Sequence, residues 1–200
     1  MVTCMRTFPW KSDSETPPGG VAVLLPGSGY TVQAPLLSWC AAMLVDLGWH
    51  VQAVEWTMTD EAREQPVAFV ERAVVQAFAE APAHARRLVV GKSLGTFALP
   101  WAVGHGVPGV WLTPILTDPA VARALDAADA SHLAVGGDRD TVWLPESVPS
   151  TAARLVTVPG GDHGLMVPGG WRASVETQTT VIDQVSEHVR QLTGSPTPLA

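Results

Sequence analysis

Leu88-Val89-Val90-Gly91-Lys92-Ser93-Leu94-Gly95 constrains the architecture more than any other stretch of this 200-residue chain. Three apolar residues in succession, two of them β-branched, leave no polar face. A strand of that kind is covered on both sides, as in a parallel sheet between two layers of helix. It runs without a spacer into Gly91-x-Ser93-x-Gly95, and residues 94–103 behind it are helix-compatible. Strand, tight turn and helix in that order form a nucleophile elbow, which stands the serine out at the top of the sheet. The residues two before and two after the serine approach closely, and a Cβ at either would crowd the turn. Serine is equally a favoured helix N-cap, so the pentapeptide alone does not make a nucleophile. Gly91-Lys92-Ser93 also resembles the end of a P-loop. That motif fails because Arg86 stands where it needs glycine and residues 88–90 are strand, not a phosphate-cradling loop.

The rest of the chain alternates in the same way. Residues 21–25 form another continuous apolar run, ending at Pro26-Gly27-Ser28-Gly29-Tyr30. A helix is expected over 34–47 with Gly48 as its stop, a strand over 50–56, and a helix over 60–79 with Asp60 as N-cap. Beyond the elbow come a strand over 109–116, a helix from Asp118-Pro119 to 130, and a strand over 132–135. A short helix over 145–152, a strand over 154–158 and a closing helix over 171–192 complete the pattern. Residues 1–10 hold one edge strand at most, and the polar stretch 11–20 reads as a loop. Strand–helix alternation with short connections predicts an α/β fold: a mostly parallel sheet of six to seven strands, with helices on both faces. One domain over 1–192 with a flexible tail over 193–200 is expected. In such sheets, function gathers at the carboxyl ends of the strands.

Composition narrows the class. With 46% apolar and 16% charged residues the chain is expected to be compact, and a net charge of −7 argues against phosphate-mediated nucleic-acid binding. Cys4 and Cys40 have no metal-ligand spacing, so neither a disulfide framework nor a metal site is predicted. No apolar run approaches the roughly 18 residues of a membrane span, and the N-terminus lacks a basic region followed by an apolar core. No membrane association and a cytoplasmic location are the expectations. Gly27-x-Gly29 is not a dinucleotide fingerprint, which would need a third glycine at Val32. No cofactor is expected.

A serine hydroxyl becomes nucleophilic when a base takes its proton and a third group orients that base. The strand ends supply Ser93, then Asp138 or Asp140, then His163. Serine, acid and histidine in that order suit a nucleophile elbow. Among six histidines, His50 and His132 open strands, on the wrong edge, and His84, His105 and His188 lie in loops or helices. His163 alone follows a strand at its carboxyl end, flanked by small residues.

These motifs resemble the α/β-hydrolase superfamily, in particular its small, lidless, dienelactone-hydrolase- or esterase-like members, over residues 21–192. Gly91-Lys92-Ser93-Leu94-Gly95 is similar to the family's elbow. Gly137-Asp138-Arg139-Asp140 is similar to its Gly-x-x-Asp pattern, which implies that Asp140 is the acid. Asp162-His163-Gly164 resembles its histidine loop. Pro26-Gly27-Ser28-Gly29 resembles its His-Gly-x-Gly loop with proline for histidine, which implies an oxyanion hole from the backbone N–H groups of Ser28 and Leu94. Such donors are worth about 3 kcal/mol each. The first one or two antiparallel strands look shortened or absent, and one short helix stands where larger relatives insert a lid, so an open pocket is expected.

The implied activity is serine hydrolysis of an ester or thioester of a small acyl substrate through an acyl-enzyme. Ser93 would attack, His163 would act as base then acid, and Asp140 would orient the ring. A non-catalytic binding protein on the same fold, or an acyltransferase using the same residues, are the alternatives. Trp56, Trp143, Leu165 and Met166 are candidate pocket walls, and Lys92, beside the nucleophile, could draw an anionic substrate or sit in solvent, of which solvent is the expectation.

Overall fold

In the computed structural model, which describes residues 5–10 and 18–194, each continuous apolar run becomes a strand of one seven-stranded sheet. The strands are β1 (Met5–Pro9), β2 (Val21–Leu25), β3 (His50–Trp56), β4 (Arg87–Lys92), β5 (Gly109–Leu112), β6 (His132–Gly137) and β7 (Arg154–Val158). Their spatial order is β1-β3-β2-β4-β5-β6-β7, with β1 antiparallel to β3 and every other neighbouring pair parallel. One short antiparallel edge strand is therefore present, within the expected 1–10 stretch. Cys4 and the 195–200 segment of the expected tail lie outside the described residues.

Successive side chains of a strand point to opposite faces, and the central strands use both. Val21, Val23 and Leu25 join Val89 in one buried layer beneath α3 (Pro66–Glu80), α4 (Leu99–Gly104) and α5 (Pro119–Asp126). Ala22, Leu24, Leu88 and Val90 join the other, beneath α1 (Pro35–Asp46) and α6 (Gly170–Thr193). Cys40 sits wholly buried in that second layer, and burial pushes its thiol up to about 12.

Several boundaries differ from expectation for identifiable reasons. The helix expected over 60–79 is two helices, α2 (Asp60–Glu64) and α3, because Pro66 has no N–H to continue the ladder and opens a new helix instead. The N-cap of α2 is Thr59, whose hydroxyl accepts from Ala62 N, rather than Asp60. β5 stops at Leu112, where Thr113 takes a positive φ of 49°. Helix α5 is capped by Asp118 as expected but ends at Asp126, and only Pro145–Ser147 is helical in the stretch 145–152. Helix α6 reaches Thr193, so the expected tail begins one residue late, at the left-handed cap Gly194. Between β5 and β6 the chain spends its residues on α5 alone, with no inserted lid.

Candidate active site

The elbow geometry follows from its two glycines. A Cβ on Gly91 would come within 2.6 Å of Gly95 O, and one on Gly95 within 2.3 Å of Leu25 O. The turn is thus wedged between its own exit and the end of β2. The helix that follows opens as a 3-10 turn over Ser93–Ala98 rather than as an α-helix, and Ser93 itself has a φ of +50°. Thr96 Oγ1 donates to Ser93 O at 2.6 Å, which holds that strained residue in place.

Two further strand ends converge on the serine. The loop after β6 and the loop after β7 touch backbone to backbone: a Cβ on Gly137 would meet Gly161 O at 2.0 Å, and Arg139 N donates to Gly161 O at 2.9 Å. That contact explains why glycine leads the Gly-x-x-Asp pattern, since it lets Asp140 and His163 come within reach. His163 Nδ1 lies 2.7 Å from Asp140 Oδ2, and His163 Nε2 lies 2.8 Å from Ser93 Oγ. A carboxylate only accepts, so the ring proton belongs on Nδ1 and Nε2 is left to accept from the serine hydroxyl. Val142 N donates to Asp140 Oδ1 at 3.1 Å, which fixes the carboxylate plane. Asp138 faces elsewhere and accepts from Gly160 N at 2.6 Å. The side chain of Asp140 is 2% exposed and that of His163 42%, so the array is dry at its base and open at the imidazole.

The loop after β2 closes the other side of Ser93. A Cβ on Gly27 would lie 3.4 Å from Ser93 Cβ, and Gly27 N donates to Tyr30 O at 2.9 Å. Ser28, next in the loop, is exposed. Leu94 stands in the first turn of the 3-10 helix, where backbone N–H groups lack partners within the helix.

No protein-family model and no curated protein sequence matches the chain. Solved structures do. Est1E from Butyrivibrio proteoclasticus with ferulic acid bound is 13% identical with a TM-score of 0.65, over 92% of this chain and 98% of that one. XC6422 from Xanthomonas campestris, described as a serine hydrolase without a lid, is 17% identical with a TM-score of 0.64, over 98% and 90%. A dienelactone hydrolase from Anabaena variabilis is 20% identical with a TM-score of 0.63, over 94% and 99%.

The chain has the α/β-hydrolase fold.

Within that fold the candidate pocket walls separate. Trp56 stands at the rim of the site, where its Nε1 donates to Gly27 O at 3.1 Å and its ring packs 5.4 Å from that of Phe69. Trp143 is a core residue instead. It is 4% exposed, its ring covers Gly136, and its Nε1 donates to Thr157 Oγ1 at 3.0 Å. Leu165 is wholly buried in the layer beneath α1 and α6, in a left-handed conformation with a φ of 55°. Met166 is exposed and lines a groove of about 610 Å³ between α1 and α6, together with Trp39 and Trp171. Ser93, Asp140 and His163 are not part of that lining.

The largest departure from the sequence reading is Lys92. Expected in solvent, it is 2% exposed. Strand alternation carried the signal: Leu88, Val90 and Lys92 share one face of a central strand, and that face is buried. Asp162, which the sequence motif leaves without a role, has one here. Its Oδ1 accepts from Gly164 N at 2.8 Å and Met166 N at 2.9 Å, so it shapes the loop that carries His163. Among the described residues no group of three His, Cys, Asp or Glu side chains is arranged to hold a metal, and no helix is long and apolar enough to cross a membrane.

Proposed function

We propose that the protein is a serine hydrolase that cleaves an ester or thioester of a small acyl substrate through an acyl-enzyme. One observation carries the reading: the His163 ring is within hydrogen-bond reach of Ser93 Oγ on one side and Asp140 on the other. In the first step Ser93 Oγ attacks the acyl carbon while His163 Nε2 takes its proton. Asp140 holds the proton on Nδ1 and stabilises the imidazolium that forms. Charge develops on the carbonyl oxygen, and the N–H groups of Ser28 and Leu94 are its proposed partners. His163 then gives its proton to the departing alkoxide or thiolate. Water, activated by the same Nε2, attacks the acyl-serine and returns Ser93.

A small substrate fits the open, lidless surroundings, and the ferulic acid bound by Est1E and the dienelactone hydrolase are compact precedents on this fold. A small-molecule substrate handled in the cytoplasm completes the proposal.

The test is covalent labelling with a fluorophosphonate. An activated serine reacts, whereas a helix-capping serine keeps its ordinary unreactive hydroxyl. The expected result is one label per folded chain on the Ser93 peptide by mass spectrometry, absent in Ser93→Ala. Folded protein that takes up no label would leave the non-catalytic reading in its place.

A further inference from the structure

Lys92 ends β4 immediately before the serine, on the strand face that Leu88 and Val90 bury beneath α1 and α6. A buried ammonium is costly unless its donors are used. Here Nζ donates to Thr113 Oγ1 at 3.2 Å and to the main-chain carbonyl of His163 at 3.1 Å, and lies 4.5 Å from the centre of the Tyr30 ring. Those partners belong to three separate loops, after β5, β7 and β2. Each is itself anchored. Thr113 is held at a φ of 49°, Tyr30 O accepts from Gly27 N, and the Tyr30 hydroxyl accepts from Leu36 N at 2.8 Å. One ammonium therefore ties the elbow to the loops that carry the base and face the serine.

We propose that Lys92 is a positioning residue, which holds the His163 carbonyl against β5 and the Tyr30 ring and so keeps the imidazole aligned between Asp140 and Ser93. The proposal rests on the hydrolase reading above. Fixing the carbonyl fixes the peptide plane after His163, and with it the direction in which the ring leaves the backbone. Met166 and Gly164 restrain the loop on its far side, through Asp162. Lys92 holds the carbonyl edge of the His163–Gly164 peptide, and Gln178 Nε2 donates to the next carbonyl, that of Gly164, at 3.2 Å.

The cost of this arrangement makes it testable. Burial pushes the ammonium down to about 8, against the opposing pull of Asp140 and Asp162. The groups that face it are Tyr30 from the β2 loop, Asp140 from the β6 loop, Asp162 and His163 from the β7 loop, and Ser93 beside it. Between about pH 8 and the ordinary lysine value, the unfolded chain binds the proton more tightly than the folded one. Stability therefore rises with pH across that window. The protonated form is thus held at a cost to stability, and the proposal is that alignment of His163 is what it serves.

Lys92→Met fills similar volume without donors or charge. The expected result at neutral pH is a melting temperature equal to or above that of the parent, with kcat on a p-nitrophenyl ester lower by on the order of 100-fold and KM little changed. The parent's kcat should also fall as pH rises through about 8, and Lys92→Met should lack that limb. A lower melting temperature with a parallel loss of kcat would make Lys92 merely structural and overturn the proposal. So would parental kcat in the variant. Should Lys92→Met fail to fold, Lys92→Leu, which also lacks donors and charge, is read in the same way, and parental kcat there rejects the role. The hydrolase reading fails separately, by absence of fluorophosphonate label on the parent protein.

Discussion

The two ends of the sheet treat the same side chains in opposite ways. At the carboxyl end His163 is half exposed and shares its ring with Ser93 and Asp140. At the amino end of β6, His132 is 3% exposed; its Nδ1 accepts from Trp111 Nε1 at 3.1 Å, and its ring stacks against that indole. Backbone strain divides the same way. Among the described residues the non-glycine positions with positive φ are Ser93, Thr113 and Leu165, all in the loops around the site. At the other end, positive φ falls on glycine, as at Gly48 and Gly106, where it is nearly free of cost. Strained non-glycine residues persist where surrounding contacts over-determine them. The amino end is built for stability, and the carboxyl end carries strain, a buried ammonium and a half-exposed imidazole.

The sharpest test of that division is to remove each histidine in turn. His163→Ala should lower kcat on the order of 10⁵-fold or more, as loss of a general base does in comparable arrays, with little change in melting temperature. His132→Ala should do the reverse and leave Trp111 Nε1 without its acceptor in the core. Comparable losses of kcat in both variants would erase the distinction between the two ends.

A second comparison lies within one loop. Asp140→Asn should lower kcat about 10⁴-fold with the fold intact, because an amide lets the ring settle in the wrong tautomer. Asp138→Asn, two residues away, loses a charge on the bond from Gly160 N and should retain most of the activity. Steady-state kinetics on both variants decide the matter. An Asp138→Asn protein crippled to the same degree would show that the loop's shape, rather than one carboxylate, is what the site requires.

What could be read in the sequence, and what could not, follows the same physics. Continuous apolar runs such as residues 21–25 and 88–90 announce a two-sided sheet, because only full burial tolerates them. Gly91, Gly95 and Gly137 announce backbone contacts, and the structure places a carbonyl where each Cβ would stand. Which face a side chain takes is harder to read, because it depends on neighbours distant in sequence. Lys92 looked exposed because lysine usually is, yet α1 and α6 cover its side of β4. Trp143 and Leu165 follow functional strands and so looked like pocket walls. Trp143 instead lies flat on Gly136, and Leu165 turns into the core at a φ of 55°. Pro66 marks the break between α2 and α3, but the helical composition on both sides of it masks the signal.

The smallest expected effect concerns stability alone, and isolates the amino end. Burial pushes His132 down to about 4, against the pull of Asp129, and burial also lowers His188, whose Nε2 donates to Ser131 O at 3.1 Å. His132 Nδ1 must stay unprotonated to accept from Trp111, so the folded state disfavours the charged ring. A folded value below the unfolded one means that the stabilising contribution is complete above about pH 6.5 and is lost as pH falls towards 4. The shift corresponds to about 3 kcal/mol from His132. Urea unfolding between those limits should show the loss as a falling midpoint. His132→Gln keeps an oxygen acceptor near the indole but cannot be protonated in this range, so its midpoint should fall less steeply. Since neither group touches the loops around Ser93, fluorophosphonate labelling of His132→Gln at neutral pH should match the parent. A variant whose midpoint falls as steeply as the parent's would move the acid sensitivity elsewhere, with the carboxylates of the carboxyl end as the next place to look.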